Sequence, residues 1–302
     1  MCEDIKMSKK AIIIVNPVAG KMKIKEDLPN MLVMLKSQDY ETKVYVTKAR
    51  GDAAKVAEKF GKSRDLIVCC GGDGTLNEVI SGLLKIEQKP LLLYYPCGST
   101  NDFAATLGLA RNAVEATSDI ENRDVMELDI GMFNGELNFS YIASFGIFVK
   151  ASYSAPQKVK NLLGHFAYVL EGAKELPTLG KSYHTKVVYD DGEIEGDFAL
   201  VGVTNSTSAG GVLKLSKDDV SLSDGLFEVL LIKGIKNPTD LAETAKLLLA
   251  KKTDGERVTL LHTSKVHIEC EEAPAWCTDG EFAGNHASVD AECIKGAVRI
   301  LI

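Results

Sequence analysis

The sequence predicts an α/β domain followed by a mainly-β domain, and two observations support this order. Over about the first 110 residues, apolar runs of strand length alternate with helical repeats, which predicts a parallel sheet with helices on both faces. From about residue 125, short strand patterns separated by turn residues dominate, which favours antiparallel sheet. We therefore predict domains at residues 1–127 and 128–294, with a last strand, about 295–302, that could return to the first domain.

In the first domain, the spacing of the apolar residues gives the order of the elements. Apolar runs of strand length occupy residues 11–15, 65–70 and 91–95, and residues 42–46 alternate as in a strand. Between these runs, apolar residues recur every three or four positions, as they do on one face of a helix. Asp52 precedes one such repeat and has the short polar side chain typical of a helix N-cap. Ligands of such sheets bind beyond the carboxyl ends of the strands.

In the second domain, turn signals separate the predicted strands. Asn134-Gly135 between two apolar segments predicts a hairpin. A helix is predicted from Pro238 to about Lys251, because proline favours the first helical position, and a further helical pattern spans about 158–175. Strands are predicted at 185–189, 198–204, 226–232, 258–270 and 297–302.

The composition of the 302-residue chain excludes several classes of protein. It is 45% hydrophobic and 25% charged, as in soluble globular proteins, and its net charge of −7 disfavours a nucleic-acid partner. The seven cysteines include no Cys-x-x-Cys pair, so we expect reduced thiols. No apolar run is long enough to cross a bilayer. We expect a cytoplasmic protein that meets a membrane only from the surface.

The segment Gly71-Gly72-Asp73-Gly74-Thr75-Leu76-Asn77-Glu78 is the most informative motif. It joins a buried strand to a helical repeat, so its glycines lie on a strand-to-helix turn. Backbone N–H groups and partial positive charge at a helix N-terminus bind phosphate. The carboxylate of Asp73 lies within this phosphate-binding turn. A negative charge there indicates a nearby metal ion or a hydroxyl that is to be deprotonated.

Two further strand ends carry glycine, amide and hydroxyl groups. The first is Asn16-Pro17-Val18-Ala19-Gly20-Lys21, and the second runs from Pro96 through Gly98-Ser99-Thr100-Asn101-Asp102 to Phe103. Thr47 ends the second strand of the domain, at the same edge of the sheet. In a parallel sheet these loops converge on one edge, and together they suit a nucleoside triphosphate. Neither a dinucleotide-binding Gly-x-Gly-x-x-Gly turn nor a Gly-x-x-x-x-Gly-Lys-[Ser/Thr] loop is present.

Through these motifs, the chain resembles the diacylglycerol kinase catalytic family, which includes sphingosine kinases, and it most resembles the soluble bacterial members. The likeness extends through the segments 128–131, 204–206, 223–227 and Asp279-Gly280-Glu281. The resemblance implies a three-layer nucleotide-binding α/β domain, of the type also found in NAD kinases, and a second domain of β-sandwich type. It implies an ATP- and Mg²⁺-dependent lipid kinase that acts at the membrane surface, most often on diacylglycerol to give phosphatidate; homodimer formation is left open.

The same resemblance implies roles for single residues in catalysis and nucleotide binding. Asp73 would hold Mg²⁺ or orient the acceptor hydroxyl, and either Asp279 or Glu281 would be the general base. Ser99 replaces a threonine that is usual in the family. The residues that would line the ATP site are Asn16, Pro17, Gly20, Thr47, Gly71, Gly72, Gly74, Thr75, Asn77, Ser99 and Asn101.

A second Mg²⁺ ion, with a structural role, is also implied by the resemblance. Its ligands would be the side chain of Asp224 and backbone carbonyls near Ser221 and Leu226. Lys21 and Asp129 match positions that link this loop to the nucleotide domain through a polar network.

Other functions stay open at this level. The acceptor could be another lipid, such as phosphatidylglycerol or a sphingoid base. NAD kinases also carry Gly-Gly-Asp-Gly-Thr, and a nucleotide-sensing regulator without turnover would bind ATP alone. Basic and aromatic residues within 158–175 could contact anionic headgroups or form an ordinary solvated helix face.

Overall fold

The structure, a computed structural model, describes residues 8–19, 24–98, 101–110, 112–147, 180–209, 213–216 and 219–302. The chain divides into two compact units. The first consists of Met1–Leu128 and Gly296–Ile302, and the second of Asp129–Lys295. Within the described ranges, no helix combines the length and the apolar character that are needed to cross a membrane.

The first unit is built on a parallel sheet. Its strands are β1 (Lys9–Val15), β2 (Tyr40–Val46), β3 (Leu66–Gly71) and β4 (Leu91–Pro96), in the spatial order β2-β1-β3-β4. The end of the C-terminal strand adds to β4 in parallel, where Ile300 pairs with Leu92. The helices are α1 (Ile24–Ser37), α2 (Asp52–Gly61), α3 (Asp73–Leu83), α4 (Asp102–Leu107) and α5 (Ala113–Thr117).

Helices cover both faces of this sheet, because successive side chains along a strand point to opposite sides. On one face, Ile13 and Val68 share a buried cluster with Met31 of α1 and Ala116 of α5. On the opposite face, β3 packs against α3. Helices α2 and α3 approach closely at Gly82, where an added Cβ would meet the side chain of Ala57 at 2.9 Å. The predicted α/β class is confirmed in this unit.

The prediction of Asp52 as the N-cap of α2 is wrong by one residue. Gly51, with φ 84°, is the N-cap, and Asp52 is the first helical residue. The Asp52 carboxylate accepts hydrogen bonds from the backbone N–H groups of Lys48 and Ala49, at 2.8 and 3.1 Å. It therefore stabilises the turn before the helix rather than the helix end itself.

The second unit is dominated by antiparallel sheet. Strand β9 organises it, because β7, β8 and β12 all pair with β9 in antiparallel fashion. Among the residues that the structure describes, the strands are β5 (Val125–Phe133), β6 (Leu137–Phe139), β7 (Ile142–Gly146), β8 (Tyr183–Tyr189), β9 (Gly192–Thr204), β10 (Ser208–Ala209), β11 (Leu213–Lys214), β12 (Phe227–Lys233), β13 (Val258–Thr263), β14 (Lys265–Cys270), β15 (Ala275–Thr278), β16 (Glu281–Asn285) and β17 (Ser288–Leu301), and the helix is α6 (Pro238–Ala250).

Aromatic residues form the centre of this unit. Trp276 is fully buried, and its ring lies 5.2 Å from that of Phe133 and 4.8 Å from that of Phe145, both edge to face. Phe139 and Phe227 stack nearby with their centroids 5.4 Å apart. Such pairs add specific contacts to the free energy that comes from burial.

The strand predicted at 258–270 is two strands. The chain turns at Ser264, whose backbone N–H and hydroxyl both donate to the Asp190 carboxylate, at 2.6 and 2.8 Å. As a result β13 pairs with β12, whereas β14 pairs with β8 and β17. Strand β17 also begins nine residues before the predicted 297, and β15 and β16 were not predicted.

Candidate functional site

The glycine turn between β3 and α3 requires residues without side chains. A Cβ on Gly71 would lie 2.5 Å from Oγ1 of Thr75, and the carbonyl of Gly71 accepts a 2.7 Å hydrogen bond from the backbone N–H of Cys97. Gly72 is the N-cap of α3 in an extended conformation, and Asp73 is the first helical residue. The first N–H groups of a helix lack intrahelical partners, so the turn presents donors to an anion.

The loop after β4 touches this turn, glycine against glycine. A Cβ on Gly98 would lie 2.6 Å from Cα of Gly72, and a Cβ on Gly72 would lie 3.2 Å from Cα of Gly98. Asn101, with φ 51°, is the N-cap of α4, and its Nδ2 donates to the carbonyl of Gly98 at 2.7 Å. The two loops therefore form one surface at the ends of β3 and β4.

Asn16 joins the end of β1 to the same surface. Its Nδ2 donates to Oγ1 of Thr75 at 2.9 Å, and its backbone N–H donates to the carbonyl of Cys70 at 2.9 Å. The backbone N–H and the hydroxyl of Thr47 donate to the carbonyl of Val15, at 2.9 and 3.3 Å. Three strand ends thus converge, while the Thr47 hydroxyl is used within the fold.

The phenol of the buried residue Tyr94 contacts the carboxylate of Asp73. The hydroxyl of Tyr94 lies 3.3 Å from Oδ1 of Asp73 and 3.5 Å from Oδ1 of Asn101. Burial, followed by the charge of Asp73, raises the pKa of Tyr94 far above its usual value. The phenol therefore stays protonated and acts as a donor that fixes the Asp73 carboxylate.

The structure says less about the other residues that were predicted to line the ATP site. Pro17 lies in the turn after β1, Gly74 is exposed in the first turn of α3, and Asn77 is half-buried, with its carbonyl accepting from the Ser81 hydroxyl at 2.8 Å. Gly20, Lys21 and Ser99 lie outside the described residues, as does the helical pattern at 158–175.

Glu78, the last residue of the glycine motif, supports α2 rather than the turn. Its Oε1 accepts from the backbone N–H of Gly51 at 2.8 Å, and its Oε2 accepts from that of Ala53 at 3.2 Å. This carboxylate replaces the N-cap side chain that Gly51 lacks. Sequence reasoning missed the role of Glu78, and also that of Tyr94. The groups that Glu78 binds lie 25 and 27 positions away along the chain, and Asp73 lies 21 positions from Tyr94.

In the second unit, the Asp279 carboxylate is bound by backbone amides. Oδ2 accepts from the N–H of Ser140 at 2.6 Å, and Oδ1 accepts from those of Tyr141 and Ile142 at 3.0 and 3.1 Å. The backbone N–H of Asp279 donates to the carbonyl of Ile142 at 2.9 Å. These contacts tie the turn between β15 and β16 to the start of β7.

Glu281 has a different environment in the same turn. Asp279 and Gly280 both have positive φ, 49° and 82°, so the chain reverses tightly and Glu281 opens β16 opposite Thr278. The side chain of Glu281 is exposed. Of the two predicted general bases, Asp279 is the one whose carboxylate accepts hydrogen bonds from three backbone N–H groups.

Asp129 closes the loop that was predicted to bind a second metal ion. It is fully buried, its Oδ2 accepts from the N–H of Gly225 at 2.6 Å, and its backbone N–H donates to the carbonyl of Leu222 at 2.9 Å. Within the loop, Oδ1 of the exposed Asp224 accepts from the N–H of Leu226 at 2.9 Å. Asp129 and Asp224 therefore give this loop a defined shape.

Glu228, just after this loop, was missed by the sequence analysis. Its carboxylate is fully buried, and neither oxygen has a hydrogen-bond partner among the residues that the structure describes. Burial raises the pKa of Glu228 to about 8, and the charge of Asp224 contributes in the same direction. The signal available in the sequence was a lone carboxylate in an otherwise apolar strand, Phe227-Glu228-Val229-Leu230-Leu231.

The donors near Asp73 and in the loop fit a hard divalent cation bound by few protein ligands. In the described part of the chain, no three His, Cys, Asp or Glu side chains come together as a metal cluster. Mg²⁺, however, is held by one or two carboxylates together with waters and substrate phosphates. Carboxylate and carbonyl oxygens are present at both places.

Comparisons of the chain with family models and with known proteins agree on one family. A profile described as diacylglycerol kinase catalytic domain matches residues 10–133, and one described as YegS C-terminal NAD kinase beta sandwich-like domain matches residues 142–302. A diacylglycerol kinase of Bacillus subtilis is 33% identical over 278 residues, which are 91% of each chain. A diacylglycerol kinase of Staphylococcus epidermidis is 34% identical over 92% of this chain and 87% of its own.

The solved structures agree with this result. A crystal structure of a diacylglycerol kinase from Bacillus anthracis aligns with a TM-score of 0.74 and 26% identity, over 98% of this chain and 97% of that one. The agreement confirms the predicted fold class, a nucleotide-binding α/β domain with a β-sandwich-like second domain. The chain therefore belongs to the diacylglycerol kinase catalytic-domain family and is a lipid kinase.

Proposed function

We propose that this lipid kinase transfers the γ-phosphoryl group of ATP to the hydroxyl of diacylglycerol and forms phosphatidate. The observation that carries the proposal is the contact of Gly72 with Gly98, which builds one glycine surface beside Asp73 at the N-terminus of α3. Relatives that are named diacylglycerol kinase align over about nine-tenths of the chain, and they favour this acceptor over other lipids.

On the phosphate side, the glycine surface binds and orients the phosphate groups of ATP. Backbone N–H groups at the start of α3 neutralise part of the phosphate charge, since phosphoryl transfer depends mainly on positioning and electrostatic stabilisation. Asn16 and Asn101 hold the surrounding loops through their bonds to Thr75 and Gly98. Their part is to keep the N–H groups in place while the phosphate chain is bound.

On the acceptor side, we assign the general base to Glu281. A lipid alcohol is a very weak acid, so a carboxylate that accepts its proton in the transition state contributes roughly 10²- to 10⁴-fold to the rate. The Asp279 carboxylate already accepts three backbone N–H groups. We therefore assign Asp279 a positioning role, in which it fixes the turn that carries Glu281.

Mg²⁺ is the proposed cofactor, and Asp73 is its proposed protein ligand. When bound, the ion supplies positive charge to the phosphate oxygens and lowers the charge that the protein must neutralise. The contribution of the protein is to hold Asp73 in one orientation, and the hydroxyl of Tyr94 does this. The loop from Ser221 to Leu226 is the proposed second Mg²⁺ site, and the link to it from Lys21 stays a prediction.

The experiment that tests the function uses γ-labelled ATP and Mg²⁺ with four separate acceptors. These are diacylglycerol, phosphatidylglycerol and sphingosine, each in mixed micelles, and NAD in solution. We expect label in phosphatidate, loss of that label with Asp73→Asn, and full activity with Gly196→Ala, where an added Cβ makes only ordinary contacts of 3.6 Å or more. Label mainly in another lipid would overturn the acceptor. Label in NADP, or none anywhere, would overturn the lipid-kinase reaction.

Because the acceptor is a membrane lipid, we also propose that the chain docks peripherally on bilayers, as a monomer or a homodimer. Phe282, directly after Glu281, has a side chain that is 55% exposed and suits contact with acyl chains. Cosedimentation with vesicles that contain diacylglycerol tests this docking, and Phe282→Ser should weaken it. Vesicle binding equal to that of the unchanged protein would remove Phe282 from the docking surface. Light scattering gives the oligomeric state.

A further inference from the structure

The end of strand β9 holds the backbone segment that binds Asp279. The carbonyl of Tyr141 accepts two hydrogen bonds from this end, one from the hydroxyl of Thr204 at 2.7 Å and one from the backbone N–H of Asn205 at 3.1 Å. Thr204 and Asn205 are both buried. The carbonyl of Ser206 lies 3.4 Å from the same hydroxyl, so the single hydroxyl proton goes to the nearer acceptor, Tyr141. Both lone pairs of the Tyr141 carbonyl are therefore engaged by β9 and the residue after it.

One peptide group connects these hydrogen bonds to the Asp279 carboxylate. The carbonyl of Tyr141 and the N–H of Ile142 belong to the same peptide group, and that N–H donates to Oδ1 of Asp279 at 3.1 Å. A trans peptide group is planar, so its carbonyl and its N–H point in opposite directions. Holding the oxygen from β9 therefore fixes the direction in which the N–H points toward Asp279. A hydrogen bond at the carbonyl also polarises the peptide group and strengthens its N–H as a donor.

Further contacts hold the same segment in place. Nδ2 of Asn205 donates to the backbone carbonyl of Asp129 at 2.8 Å, which anchors the end of β9 to β5. The hydroxyl of Tyr141 lies beside the turn between β15 and β16, 3.6 Å from the position that a Cβ on Gly280 would occupy. In the sheet, β7 lies between β9 and β15. The start of β7 is thus held between the end of β9 and the turn that leads to Glu281.

We propose that Thr204 is a positioning residue for phosphoryl transfer. Its hydroxyl fixes the peptide group between Tyr141 and Ile142, that group binds Asp279, and Asp279 holds the turn that carries Glu281. Thr204 neither gives nor takes a proton during the reaction, because its hydroxyl proton stays on the carbonyl that it holds. This inference rests on the proposed role of Glu281 as the general base, and it adds the side chain that sets the place of that base.

The first test compares the steady-state kinetics of threonine variants of the full chain with diacylglycerol in micelles. Thr204→Val removes the hydroxyl and nearly keeps the shape. Because a small misplacement of a reacting group is costly, we expect kcat to fall about tenfold while the KM values for ATP and diacylglycerol stay unchanged. Thr204→Ser keeps the hydroxyl and should restore most of kcat. Thr244→Val is the control, because it removes a buried hydroxyl of α6 that donates to the carbonyl of Asp240 at 2.8 Å, and it should keep kcat.

A double-variant cycle separates positioning from a general loss of structure. Thr204→Val is combined with Glu281→Gln, and kcat is measured from the residual labelled phosphatidate. Residues that act as a unit have non-additive effects, so Thr204→Val should not lower kcat further once the base is gone. An equal factor in both backgrounds would mean that Thr204 only stabilises the fold, and it would overturn the inference. Thr204→Ala, which places no methyl group against the Tyr141 carbonyl, is the second variant where Thr204→Val folds poorly, and the same pattern is expected of it.

The outcomes distinguish this inference from the proposed function. Loss of phosphatidate in Glu281→Gln, with kcat in Thr204→Val equal to that of Thr244→Val, would overturn the role of Thr204 and keep Glu281 as the base. A changed KM with constant kcat in Thr204→Val would also overturn the positioning role, because the hydroxyl would then act on substrate binding. Full activity of Glu281→Gln would overturn the base and, with it, the role of Thr204 that depends on the base.

Discussion

The hydroxyl of Tyr94 donates a hydrogen bond of 3.3 Å to Oδ1 of Asp73, from a position below the glycine turn. Removing it in Tyr94→Phe leaves the carboxylate without this donor. A hydrogen bond to a charged group is worth about 1.5 kcal/mol or more, so we expect kcat to fall roughly tenfold. The KM for the lipid should not change, because the role proposed for Asp73 is to bind Mg²⁺ beside the phosphate groups of ATP. Steady-state kinetics with diacylglycerol in micelles measures both constants.

The next residue along β4 offers a matched control. Tyr95 donates to the Asp27 carboxylate at 2.6 Å, and its ring belongs to the buried cluster on the opposite face of the sheet. Tyr95→Phe removes the same hydroxyl group from the same strand and should keep kcat unchanged. An equal loss in both variants would mean that the strand, and not Asp73, responds to the change.

Asp279 and Glu281 should separate into a structural and a catalytic role. Glu281→Gln removes the proposed base, so kcat should fall about 10²- to 10⁴-fold while the melting temperature stays unchanged. Asp279→Asn can keep the positive φ of 49° but weakens bonds to three backbone N–H groups. It should lower the free energy of unfolding by about 1–3 kcal/mol. Urea titration and initial rates on both variants test the assignment, and the reverse pattern would make Asp279 the base.

The contact between Gly72 and Gly98 should tolerate no side chain. In Gly98→Ala the new Cβ would lie 2.6 Å from a backbone atom of Gly72, so one of the two loops must move. We expect ATP to bind at least tenfold more weakly when the N–H groups of the glycine surface are displaced, which is a loss of about 1.4 kcal/mol in binding free energy. Isothermal titration with a non-hydrolysable ATP analogue measures this loss. Gly196→Ala is the control, and normal affinity in Gly98→Ala would show that the cradle does not depend on this contact.

The parallel half of the fold was largely predictable because β1, β3 and β4 are buried on both faces and read as continuous apolar runs. Residues 11–15 and 91–95 became the buried parts of β1 and β4. The antiparallel half was harder, since the break at Ser264 depends on Asp190, 74 residues away. The start of β17 was available in principle: Val289 and Ala291 alternate with exposed Asp290 and Glu292, a half-buried strand pattern.

In the candidate site, the motif itself was predictable and its support was not. Asp73 and the glycines are consecutive, whereas Tyr94 and Glu78 act through Asp73 and Gly51, which lie 21 and 27 positions away from them along the chain. From the sequence alone, Asp279 and Glu281 were also equal candidates for the general base. The difference between them is the set of backbone amides at 140–142, which no local pattern reveals.

Glu78 should stabilise α2 from the neighbouring helix. Because its carboxylate accepts the N–H groups of Gly51 and Ala53, Glu78→Gln should lower the free energy of unfolding by about 1–2 kcal/mol. Glu58→Gln on α2 is the matched control, since its exposed pair with Lys85 at 3.6 Å contributes at most about 0.5 kcal/mol. Urea unfolding of both variants measures the difference. Equal effects would mean that Glu78 does not cap the helix.

His267 should titrate above the ordinary histidine range. Its Nδ1 lies 2.7 Å from Asp290 and its Nε2 lies 3.1 Å from Glu269, and these bonds, that to Asp290 first, raise the pKa of His267. The native state therefore holds this proton more tightly than the unfolded chain does. The resulting stabilisation is fully present below the unfolded pKa of about 6.5 and is lost as pH rises through the raised folded pKa.

Two measurements check this pH dependence. The imidazole carbon-bound protons of His267, assigned with His267→Gln and followed by nuclear magnetic resonance, should have a midpoint above about 6.5. The stability lost on His267→Gln should be larger at pH 5.5 than at pH 8.5, because the imidazolium pairs with Asp290 and Glu269 only while it is charged. A midpoint at or below the ordinary value, or a loss that does not depend on pH, would show that the two carboxylates do not hold the proton in solution.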